Sequence, residues 1–191
     1  IARLREIYAR RFKEYKITHI KGTGAFHDAH SIVVNEVIYK ANHIIIATGG
    51  APSLPQISGI QHAIDSDGFF SLSKQPYKVA IIGSGYIGVE LAGIFQSLGT
   101  ETHLLMRGTL PLSRFDTMLS NTLHDIMKKQ GIRLHTHHKA KAINLQSDGR
   151  KSILCHSGSV IDDIDVIIAA TGRSPCITNL NLKQINVHHG N

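Results

Sequence analysis

Cysteine is nearly absent from the chain: only Cys155 and Cys176 occur among 191 residues, at no CxxC or CxxxxC spacing. Two isolated thiols make neither a disulfide framework nor a zinc site, and their scarcity points to a reducing compartment, the cytoplasm. No run of about 18 apolar residues exists, which excludes a membrane-spanning helix. No targeting pattern precedes Ile1, which stands inside a charged, helical-looking stretch. Both that start and the closing Val187-His188-His189-Gly190-Asn191 read as cuts in a longer protein. Acidic residues are outnumbered by basic ones, 14 to 21, giving a formal net charge of +7. The basic residues are scattered, without a nucleic-acid module or a basic-aromatic stripe. The positive balance therefore favours a small anionic ligand over nucleic acid.

Histidine, by contrast, is abundant, with 13 copies, and His135, His137 and His138 invite a metal reading. On a strand His135 and His137 share a face and His138 points away. No acid or cysteine accompanies them at ligand spacing, so they read as solvated surface residues.

Apolar spacing organises the rest. Ile1, Leu4, Ile7, Tyr8 and Phe12 form a helical stripe over residues 1–14. Short β-type runs follow at 17–21, 31–35, 37–40 and 43–47, the last closing on Thr48-Gly49-Gly50. They do not complete a sheet with helices of their own and read as the tail of another domain. Pro52, Pro55 and Gly59 mark residues 51–76 as a connection between domains. From Lys78 the pattern turns regular: a strand at 78–82, a glycine turn, then a helix with Ile87, Leu91, Ile94 and Leu98 on its inner face. Gly99 stops that helix, and a strand follows at 102–106. A second helix spans 116–130 with Leu119, Leu123, Ile126 and Met127 inward, and Gly131 ends it. A strand at 132–136, turns at 147–149 and 157–158, and the apolar run 164–170 complete the series. This βαβαβ order with an added β-meander predicts an α/β, Rossmann-like dinucleotide-binding domain over residues 77–172.

Gly83-Ser84-Gly85-Tyr86-Ile87-Gly88 is a GxGxxG placed between strand and helix. Gly83 permits the tight turn, Gly85 admits a pyrophosphate to the backbone, and Gly88 lets the helix pack close to the strand. The helix N-terminus then supplies free N–H groups to the phosphates. At the end of the second strand, where an NAD enzyme offers a carboxylate to the ribose hydroxyl, stand Met106 and Arg107. A guanidinium there binds a 2′-phosphate, with Arg114 as a second clamp, so NADPH is favoured over NADH.

Four stretches occur in a fixed order: Ile46-Ala47-Thr48-Gly49-Gly50, Asp65-Ser66-Asp67-Gly68-Phe69-Phe70, Gly85-Tyr86-Ile87-Gly88-Val89-Glu90-Leu91-Ala92-Gly93 and Ala170-Thr171-Gly172-Arg173. Together they resemble the pyridine nucleotide–disulfide oxidoreductases along essentially the whole chain. The Ser-Asp-Gly-Phe-Phe stretch and Arg107 bring it nearest to the members that reduce oxidised glutathione.

The resemblance implies a pathway in which NADPH reduces FAD, FAD reduces a Cys–Cys pair, and the dithiol reduces the substrate. It implies that Thr48 and Gly49 touch FAD, and that Ser84, Ile87, Glu90 and Gly172 contact NADPH. Tyr86 would cover the nicotinamide pocket, Arg173 would lie near the flavin, and Tyr8 would belong to the substrate site. The family's second phosphate arginine falls at Ser113, with arginine displaced here to Arg114. The flavin fingerprint, the CxxxxC pair and the His–Glu acid–base pair do not occur in these residues, and Cys155 and Cys176 read as small apolar fillers. The chain by itself is therefore expected to be inactive toward oxidised glutathione. Residues 1–50 are expected to be part of an FAD-binding domain, and 173–191 to return toward it. A homodimer would form through a region outside the chain. Two alternatives stay open: a flavin reductase acting on trypanothione, mercuric ion or lipoamide, and a stand-alone nucleotide-binding module.

Overall fold

In this computed structural model residues 2–188 are described; they sort into one unit of Ile1–Gly49 with Pro175–Asn191 and another of Gly50–Ser174. Ile1 and residues 189–191 of the expected return segment lie outside the described residues.

The first unit opens with helix α1 (Ala2–Glu14), whose last turn carries Arg11 and Lys13, the sign that suits a helix C-terminus. Strands β1 (Gly24–Asp28), β2 (Ser31–Val34) and β3 (Val37–Lys40) form an antiparallel meander. Asn35 and Glu36 join β2 to β3 with φ of 49° and 66°, the left-handed pair that a two-residue hairpin turn requires. Two expected strands do not form. Residues 17–21 and 43–47 run as irregular chain, and Ile45 is 89% exposed. Their composition suits a strand, but a strand exists only through a neighbour's backbone, and the ladder of this unit is taken by β1, where no strand was expected. Phe26 of β1 is buried, its N–H donating to the Leu180 carbonyl at 3.1 Å.

The second unit contains β4 (Gly50–Pro52), α2 (Ser66–Phe70), β5 (Lys78–Ile82), α3 (Tyr86–Ser97), β6 (Glu101–Leu105), α4 (Thr117–Lys129) and β7 (Arg133–His135). It continues through β8 (Ala140–Leu145), β9 (Lys151–Cys155), β10 (Val160–Ile164) and β11 (Val166–Ala169) to β12 (Arg173–Pro175) at its boundary. Strands β11, β5, β6 and β7 lie in that order as a parallel sheet, and β10, β9 and β8 form an antiparallel meander. This is a mixed α/β fold around a parallel sheet. Alternation along β5 assigns the two cores. Val79 and Ile81 face Leu91, Phe95 and Met127 of the helices, while Ala80 and Ile82 face Ile143, Ile153 and Ile161 of the meander. Each fully buried Ile or Leu here contributes about 1.5–3 kcal/mol.

Both helices turn inward only part of the face expected: Ile87 and Leu91 of α3 and Leu123 and Met127 of α4 meet the core, while the other expected residues do not. In α3 the buried residues are Gly88, Leu91, Ala92 and Phe95, while Ile94 is 42% and Leu98 59% exposed. In α4 Ser120 and Met127 are buried, Leu123 is partly so, and Leu119 and Ile126 are exposed. In α3 the close approach of Gly88 to the Gly83 carbonyl turns Ala92 and Phe95 inward with Leu91. In α4 Ser120 is buried where its hydroxyl donates to the Leu112 carbonyl, beside Met127 on the inner side. Residues 51–76 also differ from a free connection. Ile57, Ile60 and Ala63 pack on the meander core, and Ile64 bonds along β11, donating to Ile167 and accepting from Ala169 at 2.9 and 2.7 Å.

Candidate functional site

The carboxyl ends of β11, β5 and β6 meet at one edge of the parallel sheet, where the glycine turn follows β5. Gly83 has φ +112°, and an added Cβ would collide with the Ala170 carbonyl after β11. A Cβ on Gly88 would collide with the Gly83 carbonyl, so both positions need glycine for close approach. At Gly85 a Cβ would meet nothing within 4 Å. The space beside this backbone is open.

Gly85 is also the N-cap of α3 and provides no side-chain cap. The contrast with the neighbouring helices is direct. Asp65 caps α2 by accepting from Asp67 and Gly68, and Asp116 caps α4 by accepting from Met118 and Leu119. The first amides of α3 are thus left for another acceptor, at the end of a helix that favours negative charge. Around them Ser84 and Ile87 are half-buried, and Tyr86 and Glu90 are exposed one turn apart on α3.

The loop after β6 lies against this turn. Met106 is fully buried and Arg107, next to it, is exposed. Leu112 donates its N–H to the Ser84 carbonyl at 2.9 Å, and Ser120 Oγ donates to the Leu112 carbonyl at 3.1 Å. Leu112 pays for this docking with a left-handed φ of 51°. Thr109, Leu110, Ser113, Phe115, Thr117 and Ser120 line a shallow pocket of about 220 Å³. Arg114 is exposed and outside that lining, and among the described residues neither Arg107 nor Arg114 is ion-paired.

Beyond β11, Gly172 has φ +141° and its carbonyl accepts from Ser53 N–H at 2.9 Å. Arg173 donates to the Gly50 carbonyl and to Ser66 Oγ, which fixes its guanidinium inside this unit. Gly83, Ser84, Gly85, Tyr86, Ile87, Gly88, Glu90, Arg107 and Gly172 therefore converge on one sheet edge. Tyr8, Thr48 and Gly49 belong to the other unit. Tyr8 is exposed on α1, and Thr48 and Gly49 lie in exposed irregular chain with nothing within 4 Å of a Cβ built on Gly49.

The histidines depart from the sequence reading. His103, 4% exposed on β6, bonds Glu101 Oε1 through Nε2 at 2.9 Å and His135 Nε2 through Nδ1 at 3.0 Å. Its ring stacks on His135 at 5.0 Å, and the His138 ring meets His135 edge-on at 5.4 Å. His137 has φ +57°, which breaks the strand alternation and brings His135 and His138, not His137, together. Burial pushes the His135 imidazole down to about 4, with His103 facing it adding to the effect. Burial also lowers His103, and its bond to Glu101 opposes this only in part. The His103 bond holds the Glu101 carboxyl below its usual range. Among the described residues no cluster has the ligands for a metal ion. Only the side-chain period along β6 signals His103 in the sequence; its pairing with His135 depends on strand order.

A family model for the pyridine nucleotide-disulphide oxidoreductases matches residues 1–191. Glutathione reductase of Yarrowia lipolytica is 37% identical over 95% of this chain and 37% of its own length. That of Schizosaccharomyces pombe is 37% identical over 98% of this chain and 42% of its own length. Among solved structures, the HOCl-induced flavoprotein disulfide reductase RclA from Escherichia coli superposes with a TM-score of 0.78 at 26% identity. The match covers 90% of this chain and 40% of RclA. The chain thus spans about two fifths of the length of these relatives. With the glycine turn, the open helix end and the parallel sheet in agreement, the chain belongs to the pyridine nucleotide–disulphide oxidoreductases, a family that uses FAD and NAD(P)H.

Proposed function

We propose that these residues are the NADPH-binding portion of a flavoprotein disulfide reductase whose substrate is oxidised glutathione. The observation that carries the nucleotide assignment is the uncapped N-terminus of α3 at Gly85, beside a loop that exposes Arg107 and is tied to Ser84 through Leu112. A pyrophosphate fits that arrangement, since it supplies the acceptors the first amides of α3 lack. Arg107 would hold the 2′-phosphate by charge-assisted hydrogen bonds, and Tyr86 and Glu90 on α3 would border the nicotinamide. NADPH supplies a hydride; the part of these residues is to bind it, orient it and select its phosphate.

For FAD the fit is incomplete. Thr48 and Gly49 stand in open chain of the first unit, and Arg173 is bonded within the second. The glutathione assignment rests on the relatives' names at 37% identity and on Tyr8 as a substrate-side residue.

The charge test is Arg107→Glu. A guanidinium–phosphate hydrogen bond is worth roughly 1.5–3 kcal/mol, so titration calorimetry should find NADPH preferred by the natural chain and NADH preferred by the variant. Equal affinities of the natural chain for both nucleotides overturn the assignment. For the substrate, the measurement is NADPH-driven reduction of oxidised glutathione by the flavin-containing protein that carries these residues. Turnover with a different disulfide and none with glutathione overturns that part alone.

A further inference from the structure

The hydrogen bonds between the histidines fix where their protons lie. An ionised Glu101 only accepts, so His103 Nε2 carries a proton toward it. In a neutral His103, Nδ1 is then a bare acceptor, and the hydrogen of the 3.0 Å bond belongs to His135 Nε2. His138 Nδ1 faces the Thr136 carbonyl at 2.6 Å and must also donate. With both rings neutral the chain of bonds runs one way, from His135 through His103 to Glu101, and it fails once both rings are protonated.

This chain lies under the loop that exposes Arg107. Met106 N–H donates to the His135 carbonyl and His138 N–H to the Met106 carbonyl, both at 2.9 Å. His137 N–H donates to Gly108 at 3.2 Å, and Thr109 Oγ1 meets His137 Nε2 at 3.3 Å. The backbone on both sides of Arg107 is thus fastened to residues 135–138, whose rings form the stack below.

We propose that His103, His135 and His138 are positioning residues for the Arg107 loop, so that protonation of the stack loosens the loop and lowers affinity for a 2′-phosphorylated nucleotide. This rests on the reading of Arg107 as the phosphate ligand. The groups facing the stack set the direction. Lys78 of β5 and Arg133 of β7 oppose added positive charge, and only Glu101 of β6 favours it. His137, Arg107 and Lys139, which leads into β8, are the remaining basic side chains on the adjoining turns. One proton can be taken by His103 with a tautomer change at His135 that keeps the bond. A second sets two N–H groups against each other, and the rings must part. Even the first places a cation in a site that excludes water.

The test is NADPH and NADH affinity by titration calorimetry from about pH 8 down to about pH 4.5, into the range where the lowered His135 imidazole takes its proton, for the natural chain, His135→Gln and His135→Leu. Glutamine keeps a donor toward His103 Nδ1 and, by turning its amide, also meets a protonated His103; it does not titrate. Leucine removes the donor. The natural chain should lose NADPH affinity in acid more steeply than His135→Gln, the excess approaching at most about tenfold per pH unit for one linked proton. The ligand's own phosphate, with a second pKa of about 6, contributes equally to both and cancels in the comparison. His135→Leu should bind NADPH weakly at every pH while NADH, which has no 2′-phosphate, stays level in all three. Should the leucine variant fail to fold, the comparison with glutamine still decides. Superimposable NADPH profiles for the natural chain and His135→Gln overturn the inference and leave the nucleotide assignment standing. A parallel fall in NADH affinity also overturns it, since the loss would then not pass through Arg107. Absence of NADPH binding at every pH overturns both.

Discussion

The unit Gly50–Ser174 encloses both faces of its parallel sheet, one under α3 and α4 and the other under the meander. In the unit Ile1–Gly49 with Pro175–Asn191, Phe26 and Leu182 are the buried apolar side chains among the described residues, while Leu4, Tyr8, Ile17, Val37, Ile38 and Ile45 are exposed. Isoleucine, valine and tyrosine occur in both. The difference lies in whether a second layer exists to receive them, because one sheet with a bare face gains little from its own apolar side chains. What looks alike residue by residue becomes core in one unit and surface in the other.

Hydrogen exchange is the most direct way to break that comparison. Amides of β5 and β6 should exchange at least about a hundredfold more slowly than those of residues 17–23 and 43–49. Equal protection would mean that the first unit holds a cooperative core of its own. The next effect is confined to the second unit. Gly88→Ala drives a methyl into the Gly83 carbonyl and should cost about 3 kcal/mol, whereas Gly93→Ala meets nothing within 4 Å and should stabilise α3 by up to about 1 kcal/mol. Thermal melts of the two variants moving in the same direction would contradict the packing of α3.

Acid should separate the units further. The folded pKa values of His135 and His103 are lowered, so the native state binds fewer protons than the unfolded chain. Their contribution is complete above the unfolded value of about 6.5 and is lost as pH falls below it, for His135 toward about 4. The slope is at most about 1.4 kcal/mol per pH unit for each group, and less for His135 because solvent reaches part of its ring. Denaturant titrations across this range should show the loss in the natural chain and a shallower one in His135→Gln; identical slopes would refute it. The smallest effect concerns the loop after β6. Arg114 lies outside the pocket that Ser113 lines, so Arg114→Ala should weaken NADPH binding less than Arg107→Ala. The reverse order in calorimetry would make Arg114 the principal clamp.

Much of the second unit was legible because its signals are local. A strand, three spaced glycines and a helix define the turn at Gly83, Gly85 and Gly88, and each glycine has the surroundings its position demands. The place of Arg107 just past β6 was legible for the same reason, since the end of that strand is easily located. The inner faces of α3 and α4 were legible in part, at Ile87, Leu91, Leu123 and Met127; Ile94, Leu98, Leu119 and Ile126 lie outside them because apolar character alone does not report close approaches such as that of Gly88 to the Gly83 carbonyl. The absent strands at 17–21 and 43–47 show a different limit: composition states a preference, and only a partner's backbone makes a strand.

By itself, then, the sequence determined the order of the main elements in the second unit, the glycine turn and the charge offered at Arg107, all consequences of neighbours within a few residues. Tertiary structure alone decided that Leu112 ties the arginine loop to Ser84, that residues 51–76 join the core, and that His103, His135 and His138 share one stack. Those pairings join positions far apart in sequence, 28 residues for Ser84 with Leu112, 32 for His103 with His135 and 103 for Ile64 with Ile167, and no local pattern encodes which strand will lie beside which. Side-chain period tells each residue which face it takes. Only the assembled sheet supplies the neighbour it meets there.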